Sequence, residues 1–146
     1  MAYWPHLVAI LVGAGLMLQV GMNATLGRVV GSPLLASVLN FAVGLAGLLL
    51  VSVVYGARPA PGSFGQVPAW AWLGGLCGAA YVGAVTVVGP RLGAVALLAL
   101  VLLGQMAASL AIDRFGVMGF ARSELTPSRL IGAALLVAGV LLIVRR

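Results

Sequence analysis

Five long runs of apolar residues dominate the sequence, and each is about as long as one crossing of a lipid bilayer. A spanning helix needs about 20 largely apolar residues, because the hydrocarbon core is about 30 Å thick. The predicted spans cover about residues 6–26, 34–55, 70–88, 94–112 and 129–144. We therefore predict an all-α integral membrane protein with five transmembrane helices in a single membrane domain, residues 1–146.

The apolar stretch from residue 70 to residue 112 is too long for one span. Its 43 residues would form a helix of roughly 65 Å at 1.5 Å per residue, about twice the thickness of the hydrocarbon core. The sequence Gly89-Pro90-Arg91 interrupts this stretch, and we expect the chain to fold back there.

Composition excludes the other broad classes. Hydrophobic residues make up 63% of the chain and charged residues only 7%, whereas soluble domains carry about 25% charged residues. The single cysteine, Cys77, excludes a disulfide scaffold and is expected to be a small core residue. With one cysteine and one histidine, His6, no metal site is recognisable, and we predict no cofactor. The spans hold no Ser/His/Asp arrangement and the chain no Walker loop, so neither an enzyme nor an ATP-driven pump is expected.

The arginines lie at the edges of the apolar runs, which favours membrane topology over nucleic-acid binding. Five spans place four arginines on each side of the membrane: Arg58, Arg114, Arg122 and Arg129 on the N-terminal side, and Arg28, Arg91, Arg145 and Arg146 on the other. The usual Lys/Arg bias that sets orientation is therefore zero. Either another feature, such as the doubled arginine at the end, fixes one orientation, or the chain inserts both ways and pairs as an antiparallel homodimer.

Polar side chains inside spans need partners in hydrocarbon, and they are the candidate site residues. The candidates for lining a wet, solute-binding cavity are Gln19, Asn23, Asn40, Tyr81, Gln105 and Ser109. The alternative is that these amides and hydroxyls only hold helices together. Hydroxyls such as those of Ser37, Ser109 and Thr86 are also able to bond back to their own helix.

Two charged residues have competing interpretations. Asp113 ends the fourth run, where it either pairs with Arg114 or with an arginine of a neighbouring segment, or serves as a coupling or gating group. Arg91 either anchors the turn after Pro90, or acts at a cavity mouth as a gate or as an attractor of an anionic substrate.

Several short motifs of small and polar residues follow one another along the chain. They are Gly15-x3-Gln19-x3-Asn23, Gly31-Ser32-Pro33, Asn40-Phe41-x2-Gly44, Leu73-Gly74-Gly75-Leu76-x-Gly78, Pro90-Arg91-x-Gly93, Gly104-Gln105, Ile112-Asp113-x-Phe115-Gly116, Leu130-Ile131-Gly132 and Gly139-Val140. In their order and spacing, the chain resembles the drug/metabolite transporter superfamily, most of all its short five-helix, YdcZ-like branch.

The resemblance implies an all-α inner-membrane transporter built like half of a ten-helix family member. Small four-helix relatives work as antiparallel homodimers that meet through their last helix, which implies a dimer contact at Gly132 and Gly139. Those two glycines share a helix face, which allows a neighbouring helix to approach closely. The alternative to a dimer contact is that this neighbour belongs to the same protomer. Those relatives carry a glutamate in the first helix, and this chain has no acidic residue there. Their proton-coupled cation antiport is therefore not expected here.

The function predicted from these features is secondary transport of a small metabolite or drug-like solute across the inner membrane. Alternating access would occur between two inverted copies of the chain within the lipid bilayer. The alternatives are a small dual-topology ion channel and a non-transporting accessory subunit. Without an acid in the first span, a neutral or zwitterionic solute fits better than a cation.

Overall fold

The structure is a computed structural model that describes residues 3–145. It contains five long helices: α1 (Trp4–Val30), α2 (Pro33–Val54), α3 (Leu73–Leu92), α4 (Ala94–Phe115) and α5 (Pro127–Val144). Each is long and apolar enough to cross a membrane when α3 is counted with the short 3-10 turn before it, Ala69–Trp72. No strand occurs between residues 3 and 145. The prediction of an all-α chain with five spans is thus confirmed, whereas its pairing as a dimer stays a prediction.

The first helix is longer than predicted. The predicted span ends at about residue 26, but α1 continues to Val30 and ends where Gly31 takes a left-handed conformation with φ of +75°. Gly27 instead serves helix packing, since a Cβ atom there would lie 3.2 Å from the Cα of Pro33 on α2. With 27 residues, α1 is about 40 Å long and exceeds the hydrocarbon core.

The break in the long apolar stretch lies later than predicted. Helix α3 continues through Pro90 and Arg91 to Leu92. Pro90 is tolerated this near the helix end, where its missing N–H leaves only the Thr86 carbonyl without a helical donor. The break itself is Gly93, whose φ of +82° and ψ of 155° are nearly confined to glycine.

Local sequence explains where the second and fourth helices begin and end. The Ser32 side-chain oxygen accepts a hydrogen bond of 3.2 Å from the Leu35 N–H, and Pro33 occupies the first position of α2. Helix α4 ends at Gly116, which adopts a φ of +63° and donates its N–H to the Ile112 carbonyl at 2.8 Å.

The chain divides into two compact units, the first ending at Arg91 and the second beginning at Leu92. In the first unit α1 packs along α2, and in the second α4 packs along α5. Ala99 of α4 and Val140 of α5 are both buried and line the same groove of the second unit. The expectation of a single membrane domain stays a prediction.

Candidate functional site

Asn23 is the most deeply buried of the predicted site residues. It lies on the face of α1 that also buries Val20 and Gly27, and only 2% of its surface is exposed. Its amide nitrogen has no hydrogen-bond partner within the part of the chain that the structure describes. Leaving a buried donor unpaired costs about 1–3 kcal/mol. The nitrogen is therefore available to a water molecule or a ligand.

The other predicted cavity residues are distributed over four helices. Gln19 on α1, Asn40 on α2 and Tyr81 on α3 are half-buried, while Gln105 and Ser109 on α4 are exposed. Ser109 lines a groove of the second unit together with Asp113, Arg129 and Gly132. That these side chains share one solute-binding cavity stays a prediction.

A second group of residues forms a cavity at one end of the first unit, which we call the arginine cavity. It has a volume of about 400 Å³ and is lined by Ala24, Gly27, Arg28, Gly31, Pro33, Thr86, Val87, Pro90 and Arg91. The last turns of α1 and α3 thus meet there beside the first turn of α2. The sequence indicated Arg91 as a candidate, but it gave no sign that Arg28 would lie in the same cavity.

Asp113 is paired with an arginine that follows it by sixteen residues. Its carboxylate oxygen Oδ2 accepts a hydrogen bond of 3.1 Å from Nη1 of Arg129, the third residue of α5. The partner is thus an arginine of a neighbouring segment, one of the two pairings that the sequence allowed. Both side chains keep solvent access, with 34% of the Asp113 side chain and 45% of the Arg129 side chain exposed.

The same arginine fastens the connection between α4 and α5. Arg129 also donates to the Ser123 hydroxyl at 2.8 Å and to the Glu124 carbonyl at 3.4 Å, and the Ser123 N–H donates to the Asp113 carbonyl at 2.8 Å. These bonds hold the segment from residue 116 to residue 126 against the ends of both helices. Sequence reasoning did not single out Arg129 as a site residue, because nothing local reveals a partner sixteen residues away.

Buried hydroxyls bond within their own helices. Ser37 donates to the Pro33 carbonyl at 3.1 Å, and Thr86 donates to the Val82 carbonyl at 2.7 Å. The interpretation of these two side chains as satisfied by their own helices is therefore confirmed. The expectation that Cys77 is a core residue is wrong, since its side chain is exposed. The buried face of α3 instead lies further along the helix, at Val82, Val85, Thr86 and Gly89.

The two α5 glycines line grooves beside α4. Gly132 belongs to the groove of Asp113 and Arg129, and Gly139 lines the groove that contains Ala99 and Val140. A Cβ atom at either glycine would meet nothing within 4 Å, so neither is required for close packing inside the chain. Their role in a dimer contact stays a prediction.

Five helices that are long and apolar enough to cross a membrane define a multi-pass membrane protein, and the candidate polar residues lie within these helices. A family model described as "Putative inner membrane exporter, YdcZ" matches residues 4–142, and the chain belongs to this family. It is accordingly an inner-membrane protein of a transporter family, not of an enzyme family. No curated protein and no solved structure matches the chain.

Proposed function

We propose that this protein is a secondary transporter that exports a small metabolite or drug-like solute by alternating access at the interface of an antiparallel homodimer. The observation that carries the proposal is the exposure of Gln105 at the middle of α4. In a bilayer, an amide at this depth would face hydrocarbon unless protein or a water-filled cavity covered it. A second copy of the chain would provide both the cover and the cavity.

The packing of the chain supports a partner. None of the large side chains described is fully buried, and no more than 17% of the 18-residue apolar stretch that defines each span is buried inside the chain. Transport pathways commonly form between two repeats of inverted topology. A five-helix chain supplies one repeat, and the equal number of arginines on its two sides permits the inverted copy.

The polar lining favours certain substrates. The first 112 residues contain no Asp or Glu, so α1, α2 and α3 provide no acidic side chain to bind a cation. Amides such as Asn23, with its unpaired nitrogen, bind neutral polar groups and carboxylates through hydrogen bonds. We infer that the solute is neutral or zwitterionic, and the printed description of the family favours export.

Flux through reconstituted liposomes tests the proposal. Vesicles containing the purified protein are loaded with a mixture of neutral, zwitterionic and cationic metabolites, and the solutes that leave are identified by mass spectrometry. We expect saturable efflux of neutral or zwitterionic solutes, and we expect Gln19→Ala to abolish it without lowering the yield of dimer.

The matched control is Gln66→Ala, which makes the same chemical change at an exposed position in the α2–α3 connection. It should transport at the wild-type rate. Efflux that never saturates would indicate a channel, and absence of efflux from the wild-type protein would contradict the proposal. A Gln19→Ala protein that fails to fold would show that this amide holds helices together.

A further inference from the structure

Two cationic side chains share the arginine cavity. Arg28 comes from the last turn of α1 and Arg91 from the last turn of α3. The cavity they line measures about 400 Å³, within the range of about 300–1,000 Å³ that is typical of small-molecule sites. Two like charges in one cavity repel each other unless an anion lies nearby.

No acidic side chain of the first unit neutralises this pair. The chain contains two acidic residues, Asp113 and Glu124, and both belong to the second unit. Asp113 is bound to Arg129 at 3.1 Å. The carboxyl ends of α1 and α3 each contribute about half a negative charge through the helix dipole, and the amino end of α2 contributes about half a positive charge. Together with the two guanidinium groups, an excess of about one and a half positive charges therefore remains at the cavity.

The guanidinium groups have donors to spare. Arg28 donates from Nη2 to the Thr25 hydroxyl at 3.1 Å, and an arginine side chain has five N–H donors in all. Their planar fork matches the oxygens of a phosphate or carboxylate group. The wall of the cavity at Gly31 is open, since a Cβ atom built there would meet nothing within 4 Å.

We propose that Arg28 and Arg91 together bind one phosphate or carboxylate group in the arginine cavity. The anionic group belongs either to a soluble solute or to a lipid headgroup. As the docking site of a transported solute, the site rests on the proposed function and narrows its substrate to zwitterions that carry such a group. As an anion site, it stands on the charge and geometry of the first unit alone.

Thermal unfolding of the purified full-length protein in a neutral detergent tests the site. A ligand that binds the folded state raises the melting temperature by mass action. We expect sodium phosphate to raise the melting temperature by several degrees over sodium chloride of the same ionic strength. In a second arm, mixed micelles with phosphatidylglycerol are compared with mixed micelles that contain phosphatidylcholine.

Three variants identify the residues that bind. Arg28→Gln and Arg91→Gln should each abolish the shift. Arg58→Gln removes an exposed arginine of the α2–α3 connection, outside the cavity, and should keep the full shift. Arg28→Lys retains the charge but lacks the planar fork, so it should keep part of the shift. It is the control that distinguishes lost anion binding from misfolding if Arg28→Gln does not fold.

The outcomes separate the two sources of the anion. A shift with phosphate alone assigns the site to a soluble anion, a shift with phosphatidylglycerol alone assigns it to a lipid headgroup, and a shift with both supports the shared chemistry. No shift in either arm, or an equal loss in Arg58→Gln, would overturn the proposal. Failure of the transport function would appear separately, as absent efflux from liposomes, and would leave the measured anion binding intact.

Discussion

The two units of this protein carry arginine at their helix ends in opposite electrostatic settings. In the second unit, Arg129 is bound to Asp113, to Ser123 and to the Glu124 carbonyl, and the charge is neutralised within the unit. In the first unit, Arg28 and Arg91 line a cavity without any acidic side chain. One arrangement fastens a loop, and the other leaves positive charge available to a ligand.

The difference shows how a small number of acids determines the role of many arginines. The rule that predicts orientation treats all eight arginines in the same way, because it only counts them on each side of the membrane. The two acids both follow residue 112, so paired arginines occur only near them. An arginine of the first unit can pair with an acidic side chain only from outside that unit.

The largest effect on stability is expected from Gly116→Ala, a substitution in the segment from residue 116 to residue 126 that connects α4 and α5. Gly116 has a φ of +63°, and an added Cβ would lie 2.8 Å from the Cβ of Arg122 and 3.0 Å from its backbone nitrogen. Left-handed strain and overpacking together should lower the free energy of unfolding by about 2–4 kcal/mol. The thermal unfolding midpoint in detergent, followed by circular dichroism, measures this loss.

Gly119→Ala is the matched control for that substitution. Gly119 also has a positive φ, +84°, but a Cβ there would meet nothing within 4 Å. It should therefore cost only the backbone strain, about 1–2 kcal/mol. Equal losses at the two glycines would mean that the loop is not held against the end of α4.

A smaller effect is expected from Arg129→Gln, which removes the ion pair with Asp113 and two further hydrogen bonds. Because both side chains are partly exposed to solvent, the pair itself contributes at most about 1 kcal/mol. We expect a loss of about 1–2 kcal/mol in the free energy of unfolding, including the bonds to Ser123 and Glu124.

The smallest effect is expected from the same substitution in the arginine cavity, Arg91→Gln. In the absence of added anions, Arg91→Gln loses a favourable interaction with the end of α3 and relieves repulsion from Arg28. These terms oppose each other, so stability should change by less than about 0.5 kcal/mol. A loss as large as that of Arg129→Gln would indicate that Arg91 has a structural partner and would contradict the contrast between the two units.

The number and type of helices followed from the sequence, because runs of about 20 apolar residues have one solution in a bilayer. Their boundaries were less predictable. The first span was predicted to end at about residue 26, yet α1 continues through Gly27, whose missing side chain allows the close approach of Pro33. Gly31 and Gly93 are the glycines that end helices, through their backbone conformation. Sequence alone does not distinguish a glycine that allows packing from one that ends a helix.

The site was less predictable than the fold. Asn23, Arg91 and Asp113 were candidate site residues from the sequence, because a polar group in or beside an apolar run is conspicuous, and their roles stay predictions. The residues that lie beside them were not predicted, since tertiary structure alone places Arg28 in the same cavity as Arg91 and pairs Arg129 with Asp113. Cys77 was expected in the core and is exposed, because the apolar character of a residue does not tell which face of its helix is buried.

The central claim, an antiparallel homodimer, is tested most directly by the orientation of the chain in the membrane. A single cysteine is placed at either terminus of a Cys77→Ala protein, so that the added thiol is the only one in the chain. Cells with a permeabilised outer membrane are then treated with a thiol reagent that does not cross the inner membrane. Labelling of about half the molecules at each terminus is the result we predict from the balanced arginines. Complete labelling at one terminus and none at the other would contradict the antiparallel homodimer.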